Sequence, residues 1–459
     1  MTTPKLISLC LMALFTITLN AQDADTTRNK KEEKVKDGFS LGGVPVVAYD
    51  SDIGFKYGAL VNLYWFGDGS RYPMYDHSVY LEWSRTTKGN GINQITYDTD
   101  RLIPGIRSFF EASYLTEKAL DFYGFNGYQA LYDIDYEQSG VDSEGYANRL
   151  YYRHARQLLR LKADFQGEII GQKLRWLGGV AYYGSKIKPV DVDDLNEGKE
   201  ESDLLSQNSL YQDYMDWGVI KADQSGGGNH TLLKGGLIYD TRDNEPNPFR
   251  GMWTEMQFHY APSFLSNTNY SYTRIVFTHR QYFTIIPEWM NFVYRLSYQG
   301  KISGEMPFYM LPYLYNTAPK LTSDGVGGAK TVRGIRRNRI VGDGFAFGNV
   351  ELRGKVLRTT VFNQNVYIAL SAFADAGMVT QKYKFDASGI PDPVTNEPGY
   401  GDRPAGVVDL EAKEVPHLGF GGGVHLAINQ NFIIAVDYGF AAKKEDGDSG
   451  LYIGLNFLF

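Results

Sequence analysis

The chain has 459 residues, a formal net charge of −7 and a mean hydropathy of −0.33, figures that would fit two or three soluble domains. One cysteine and 17 prolines, against 50 glycines, 34 tyrosines and 26 phenylalanines, exclude collagen-like, disulfide-stapled and disordered chains. A Tyr- and Gly-rich chain of moderate hydropathy is also what a transmembrane β-barrel gives, because its apolar residues alternate with polar ones and form no long apolar run.

Residues 1–21 carry Lys5, an apolar stretch from Leu6 to Leu19 and the small Ala21, the layout of a cleaved signal peptide. The stretch is shorter than the roughly 20 residues of a spanning helix. Cys10 lies within it, and the bulky Leu9 ahead of Cys10 argues against a lipoprotein site. Residues 22–40 are a mixed-charge stretch with too little apolar surface to fold, and are expected to form a charged periplasmic tail. Residues 41–459 are expected to form the barrel, since no apolar run after Ala21 reaches spanning length.

Period-two alternation recurs throughout this region. It predicts strands near 41–50, 54–66, 76–88, 91–102, 105–117, 149–166, 173–186, 228–241, 251–262, 270–283, 287–302, 344–357, 363–376, 416–427, 431–443 and 449–459. Their number is even, as single-chain bacterial barrels require. With a periplasmic start, the long connections 118–148, 187–227, 303–343 and 377–415 all fall outside, and short turns fall on the periplasmic side. Pro45 interrupts the first strand, where it removes a ladder donor. The final strand alternates strictly and places Leu451, Ile453, Leu455, Phe457 and Phe459 on one face, read as lipid-facing.

Four motifs stand out: FYGFNGY from Phe122 to Tyr128, YDTRDNEPNPFRG from Tyr239 to Gly251, TVRGIRRNRIVGDGFAFGNVELR from Thr331 to Arg353, and FADAG from Phe373 to Gly377. In this order, with sixteen strands and a terminal Phe, they resemble the BamA/TamA superfamily of outer-membrane insertases and translocators, over essentially the entire barrel. The resemblance implies an all-β fold, a 16-stranded antiparallel transmembrane β-barrel with an inward-folded external loop 6. It also implies insertion, assembly or translocation of outer-membrane or surface proteins, through a weak seam between the first and last strands. Leu455, Phe457 and Phe459 resemble the C-terminal strand signal that the assembly machinery reads. Because residues 22–40 are too few for a folded module, a short form without POTRA domains is expected, served by separate periplasmic factors.

Alternation also places Glu351 and Asp375 on the lumenal face of adjacent strands, while Val350, Leu352, Ala372 and Ala374 face lipid. An Arg carried by a folded-in loop can bridge two carboxylates, because its planar fork presents paired donors. The resemblance assigns that part to Arg333, with Gly334 allowing the tight backbone beside it. The competing reading is a solvated basic loop, in which Arg333, Arg336, Arg337 and Arg339 face surface lipopolysaccharide. Asp240, Arg242, Asp243 and Gly251 are read as a shaped periplasmic turn rather than a catalytic cluster. Gly419–Gly423 are read as strand bending or close backbone approach.

The external stretch 191–223, ten acidic residues against Lys199 and Lys221, is expected to be a solvated loop, since Leu195 occupies the place of a third calcium ligand. The seven histidines lack zinc-ligand spacing, and no nucleophile elbow or phosphate loop occurs, so no enzyme, metal or cofactor is expected. Net acidity argues against nucleic acid. The expected partners are outer-membrane lipid and lipopolysaccharide, unfolded outer-membrane protein clients and periplasmic factors. The alternative class is a porin-like channel or a surface binding barrel, and homodimerisation through lipid-facing strands stays open.

Overall fold

In lipid every backbone polar group must find a partner within the protein, and a sheet rolled until its edges meet satisfies this with alternating residues alone. The computed structural model describes residues 37–50, 54–72, 74–137, 146–201, 204–245, 247–317, 325–361, 364–391, 407–428, 432–455 and 457–459. Sixteen antiparallel strands close a barrel, each bonded to its sequence neighbours. They are β1 (Phe39–Asp50), β2 (Gly54–Trp65), β3 (His77–Thr86), β4 (Gly91–Ile103), β5 (Ile106–Asp121), β6 (Arg153–Ile170), β7 (Leu174–Lys188) and β8 (Gly227–Asp240), followed by β9 (Gly251–Ala261), β10 (Tyr272–Ile286), β11 (Met290–Gly304), β12 (Gly344–Val361), β13 (Gln364–Gln381), β14 (His417–Ile428), β15 (Phe432–Ala441) and β16 (Ser449–Leu455). Among the described residues no helix is long and apolar enough to cross a membrane.

Strand β9 shows how the pattern works: Met256, Phe258 and Tyr260 are exposed on the outer wall, while Glu255, Gln257 and His259 are buried inside. Lumenal charges are paired across neighbouring strands. Arg156 Nε donates to Glu117 and Arg160 Nε to Glu111, each at 2.7 Å.

Several boundaries differ from the sequence expectation. The barrel begins at Phe39, inside the stretch assigned to the tail, because Phe39–Asp50 pairs with β2 along its whole length, Pro45 lying opposite Ala59. The stretch read as a signal peptide, Cys10 and the rest of the expected tail up to Lys36 lie outside the described residues. Strand β6 starts at Arg153, since Tyr151 and Tyr152 turn into an aromatic core instead. At the seam, among the described residues, β1 and β16 pair where Tyr49 faces Ile453 and Asp50 faces Tyr452.

The last strand departs most. Leu455, opposite Ile434, ends β16, and residues 457–459 lie outside the sheet. Phe459 is buried with Leu458, Tyr282 and Val293, and Phe457 packs against a cluster of Tyr367, Ala369, Ala427 and Ile433. The lipid-facing position read for Phe457 and Phe459 is therefore corrected. Period two alone cannot tell a strand that continues from one whose end is drawn away by cations inside the barrel.

A sixteen-stranded wall encloses more space than its own side chains fill. At the end of the barrel that carries the long connections, that space is capped by aromatic residues. Phe122, from the FYGFNGY motif, meets Tyr211 and Tyr214 edge-on at 5.7 and 5.5 Å, and Phe308 at 6.5 Å. Tyr211 and Tyr214 come from a short helix, Leu210–Asp216, within the acidic stretch, whose Ser209 caps it by accepting from the Gln212 N–H. Asp213 is buried and accepts from the Tyr151 hydroxyl at 2.9 Å, and Asp223 accepts from Tyr270. The second half of 191–223 is thus a packed cap and not the solvated loop expected. Its acidic count concealed the apolar spacing of Leu210, Tyr211 and Tyr214.

Candidate functional site: a guanidinium among three lumenal carboxylates

The connection between β11 and β12, read from the sequence as the sixth external loop, has its Val332–Gly334 segment inside the barrel. Arg333 is 1% exposed. Its backbone N–H and Nε both donate to Asp375 Oδ2, at 3.1 and 2.8 Å, and Nη2 donates to Asp375 Oδ1 at 3.0 Å. Nη2 also lies 2.7 Å from Glu351 Oε1, and Nη1 donates to Asp437 Oδ2 at 3.3 Å. The guanidinium carbon stands 3.4 Å from the centre of the Phe373 ring, so charge and stacking act on the same planar group. Arg cannot lose its proton in such a site.

The register explains why these groups converge. Asn349 on β12 faces Asp375 on β13, Glu351 faces Phe373, and Gly423 on β14 faces Asp437 on β15. Residues two apart on one strand point to one side, so β12, β13 and β15 deliver three carboxylates and an aromatic floor, with Gly423 of β14 between. Asn349 adds a further hold, since its Nδ2 donates to the Thr331 carbonyl at 2.6 Å. Arg295 Nε donates back to Asn349 Oδ1 at 2.8 Å, and Arg295 Nη2 to the Lys330 carbonyl at 3.0 Å.

Glycines make the seat for the loop backbone. A Cβ on Gly419 would stand 2.0 Å from the Arg333 carbonyl oxygen, and one on Gly439 would stand 2.8 Å from the Gly334 nitrogen. Gly334 itself has φ +90°, and a Cβ there would meet the Phe440 carbonyl carbon at 2.4 Å. The Gly334 N–H donates to the Tyr452 hydroxyl of β16 at 3.2 Å. Sequence reasoning brought together Arg333, Gly334, Glu351 and Asp375 but missed Asp437, Phe373, Gly439 and Tyr452. Its signal was present: Asp437 opposes the apolar face of β15, and the glycine run 419–423 indicated a close backbone approach without saying of what.

The neighbouring arginines also have partners. Arg337 Nη2 donates to Glu117 at 2.8 Å, and Arg336 lies 3.9 Å over the Tyr132 ring. Arg339 Nη1 donates to the Gly127 carbonyl at 2.9 Å and Nε lies 3.4 Å from Asp446. This does not fit a solvated basic loop. Asp446, in the β15–β16 connection, accepts from the Tyr128 hydroxyl at 2.7 Å and lies 2.6 Å from His417 Nδ1. Burial raises the Asp446 carboxyl, but His417 and Tyr128, together with the Arg339 charge, outweigh it and hold it below its ordinary range.

The residues of the β8–β9 turn stand apart from this cluster. Asp240 Oδ1 accepts from the Arg242 backbone N–H and Nε at 3.1 and 3.0 Å, and Asp243 Oδ1 accepts the Phe249 N–H at 2.9 Å. Arg242 lies 4.5 Å over Trp253, and Gly251 has φ +96° where a Cβ would meet the Thr241 oxygen. Asn247 Nδ2 reaches the Tyr367 hydroxyl at 2.7 Å on the inner wall of β13. The carboxylates are taken up by the turn's own donors and, for Asp240, by Arg175 of β7 as well. Among the described residues no group of His, Cys, Asp and Glu is arranged to hold a metal ion.

Sixteen antiparallel strands, an apolar outer wall and an external loop drawn onto lumenal carboxylates define a β-barrel of the outer-membrane type. The Omp85 superfamily domain model matches residues 107–459, and the chain belongs to that superfamily. Among solved structures, BamA from Haemophilus ducreyi lacking POTRA domains 1–3 is similar, with a TM-score of 0.51 at 15% identity, over 92% of this chain and 71% of that one. CdiB from Escherichia coli is similar with a TM-score of 0.53 at 9% identity, over 91% of this chain and 62% of that one. This chain therefore spans less than two thirds of the CdiB chain. No curated protein matches the sequence.

Proposed function

We propose that this barrel inserts, assembles or translocates outer-membrane or surface proteins, with loop 6 fastened in the lumen by Arg333. The observation that carries the reading is the pairing of two features. A loop is clamped on three carboxylates, and the β1–β16 seam beside it is held, among the described residues, by two opposed residue pairs. Tyr452 belongs to both, since it faces Asp50 across the seam and accepts from Gly334 of the loop. A seam that short exposes unpaired β1 backbone, which is a template for an incoming strand. The partners would be unfolded barrel clients, periplasmic factors that deliver them, and the lipid and lipopolysaccharide around the outer wall.

Depletion of the protein followed by quantitative outer-membrane proteomics tests this directly. Selective loss of a set of client barrels or surface proteins is the expected result, and an unchanged outer-membrane proteome removes the reading.

A porin-like conduit is the competing class, and the aromatic cap over the lumen speaks against it. Purified protein in planar bilayers is expected to give no stable large conductance. A steadily open pore with the step size of a sixteen-stranded porin would favour the channel instead.

A further inference from the structure

One row of residues on the barrel wall runs across six strands. Asp164 of β6 faces Gly179 of β7, which faces Lys234 of β8, and Lys234 in turn faces His259 of β9. His259 faces Arg274 of β10, and Arg274 faces Lys301 of β11. Both ends of the row are neutralised, since Lys234 pairs with Asp164 and Lys301 with Asp343. The middle is not. Arg274 is 0% exposed and stands between an imidazole and an ammonium, and among the described residues no carboxylate is paired with it. Like charges placed opposite one another in a sheet repel, and an arginine cannot shed its proton to escape. We propose that this stretch of the inner wall binds a phosphoryl group on Arg274, at a site that Tyr315 now covers.

The donors left over show which group fits. Arg274 Nη1 donates to the Met310 carbonyl at 3.4 Å, whereas Nε and Nη2 are buried and make no hydrogen bond among the described residues. Those two nitrogens form the side-on edge of the guanidinium, the edge with which Arg333 takes both oxygens of Asp375 at 2.8 and 3.0 Å. Tyr272, two residues before Arg274 and on the same face, is buried, and its hydroxyl likewise has no partner among the described residues. His259 Nε2 is taken up by Gln257 Oε1 at 2.9 Å, and Nδ1 is left over.

Tyr315 covers this group without satisfying it. Its ring centre lies 5.4 Å from the Arg274 guanidinium carbon and 4.6 Å from the His259 ring, yet its own hydroxyl is buried with no partner among the described residues. Buried polar atoms without partners are few in a folded chain, and several around one cation call for a ligand. A water molecule would serve one or two donors and leave the charge unpaired. A carboxylate would fill the Nε–Nη2 edge and leave the hydroxyls over. A phosphoryl group brings a third oxygen for them, and a second negative charge that suits a row flanked by Lys234 and Lys301. Tyr315 is the occupant able to yield, because it comes from the β11–β12 connection and not from the wall.

The test uses the full chain in dodecyl maltoside micelles, which carry no phosphate. Thermal unfolding is followed at constant ionic strength in chloride, acetate, inorganic phosphate and dihexanoyl phosphatidate. Phosphate is expected to raise the midpoint of the unmodified chain above its value in chloride, as a ligand of the folded form does, and acetate is not. Arg274→Met should lose the phosphate shift. In calorimetric titration Tyr315→Ala should bind phosphate about tenfold more tightly, since the site no longer has to be uncovered. Should Arg274→Met fail to fold, Arg274→Lys, which keeps the charge and loses the side-on edge, is read in its place with the same expectation. The proposal is overturned by a phosphate midpoint equal to that in chloride, by an equal shift in acetate, by a shift that survives loss of Arg274, or by a Tyr315→Ala chain that binds phosphate no better. A larger shift with phosphatidate than with phosphate supports it with a lipid headgroup as the source. An equal or smaller one supports it with a free phosphate.

Discussion

Arg333→Ala is expected to remove the heat-resistant, fast-migrating form of the barrel on semi-native gels, whereas Arg337→Ala leaves it in place. Removing the Arg333 guanidinium leaves Asp375, Glu351 and Asp437 buried around an empty space, with one charge fewer to face them. Breaking one side of a buried ion pair costs about 3–5 kcal/mol, and the cost falls mainly on Asp375, since Glu351 keeps Arg353 and Asp437 keeps His425. Arg337 pairs with Glu117, but Glu117 also accepts from Arg156, so its charge stays compensated when Arg337 is lost. A lysine does not rescue Arg333: its point charge cannot donate to Asp375 with two nitrogens while reaching toward Asp437 and stacking on Phe373. Equal gel mobility shifts for Arg333→Ala and Arg337→Ala would remove the proposed fastening.

Gly334→Ala is expected to be nearly as damaging, through shape and not charge. Its φ of +90° is a conformation that L residues rarely adopt, and the added Cβ meets Phe440 backbone atoms, which have no flexible end to move aside. Strain of this kind together with overpacking amounts to about 2–4 kcal/mol. The cost falls on seating the loop, because the segment can escape the overlap only by drawing Arg333 off its carboxylates. Gly235→Ala, with nothing within 4 Å of the added carbon, is the matched control and should behave as the unmodified barrel. Protease sensitivity of loop 6 and gel mobility read both variants, and a Gly334→Ala barrel as resistant as the control would show the seat to be wider than its geometry.

Much of this architecture was legible in the chain because a barrel wall obeys a local rule. Alternation along β9 or β12 reports which side chains face lipid, and from that the inward aim of Glu351 and Asp375 follows without any knowledge of neighbours. Parity of the strands then put the long connections on one side. Several strand ends were read less well: β5, β6, β12 and β13 run four or five residues further than expected, and three places, Phe39, Tyr151–Tyr152 and Phe457–Phe459, are placed differently. In each of these three, a contact remote in sequence overrides the local pattern: β2 holds Phe39, an aromatic core takes Tyr151 and Tyr152, and Arg353 with Arg295 takes the two phenylalanines.

The site divides in the same way. By itself the sequence determined the sixteen strands, the lumenal placement of two carboxylates and, through the ordered motifs, the arginine of loop 6 that answers them. Only the tertiary structure decided that Asp437 joins them, that Gly419 and Gly439 leave room for the loop backbone, and that Tyr452 touches both loop and seam. It also decided that the acidic stretch 191–223 ends in a packed aromatic cap. The reason is physical: a period of two is set by bond geometry within one strand, whereas register across four strands and the path of a loop through the lumen depend on which distant charges and rings can be satisfied together.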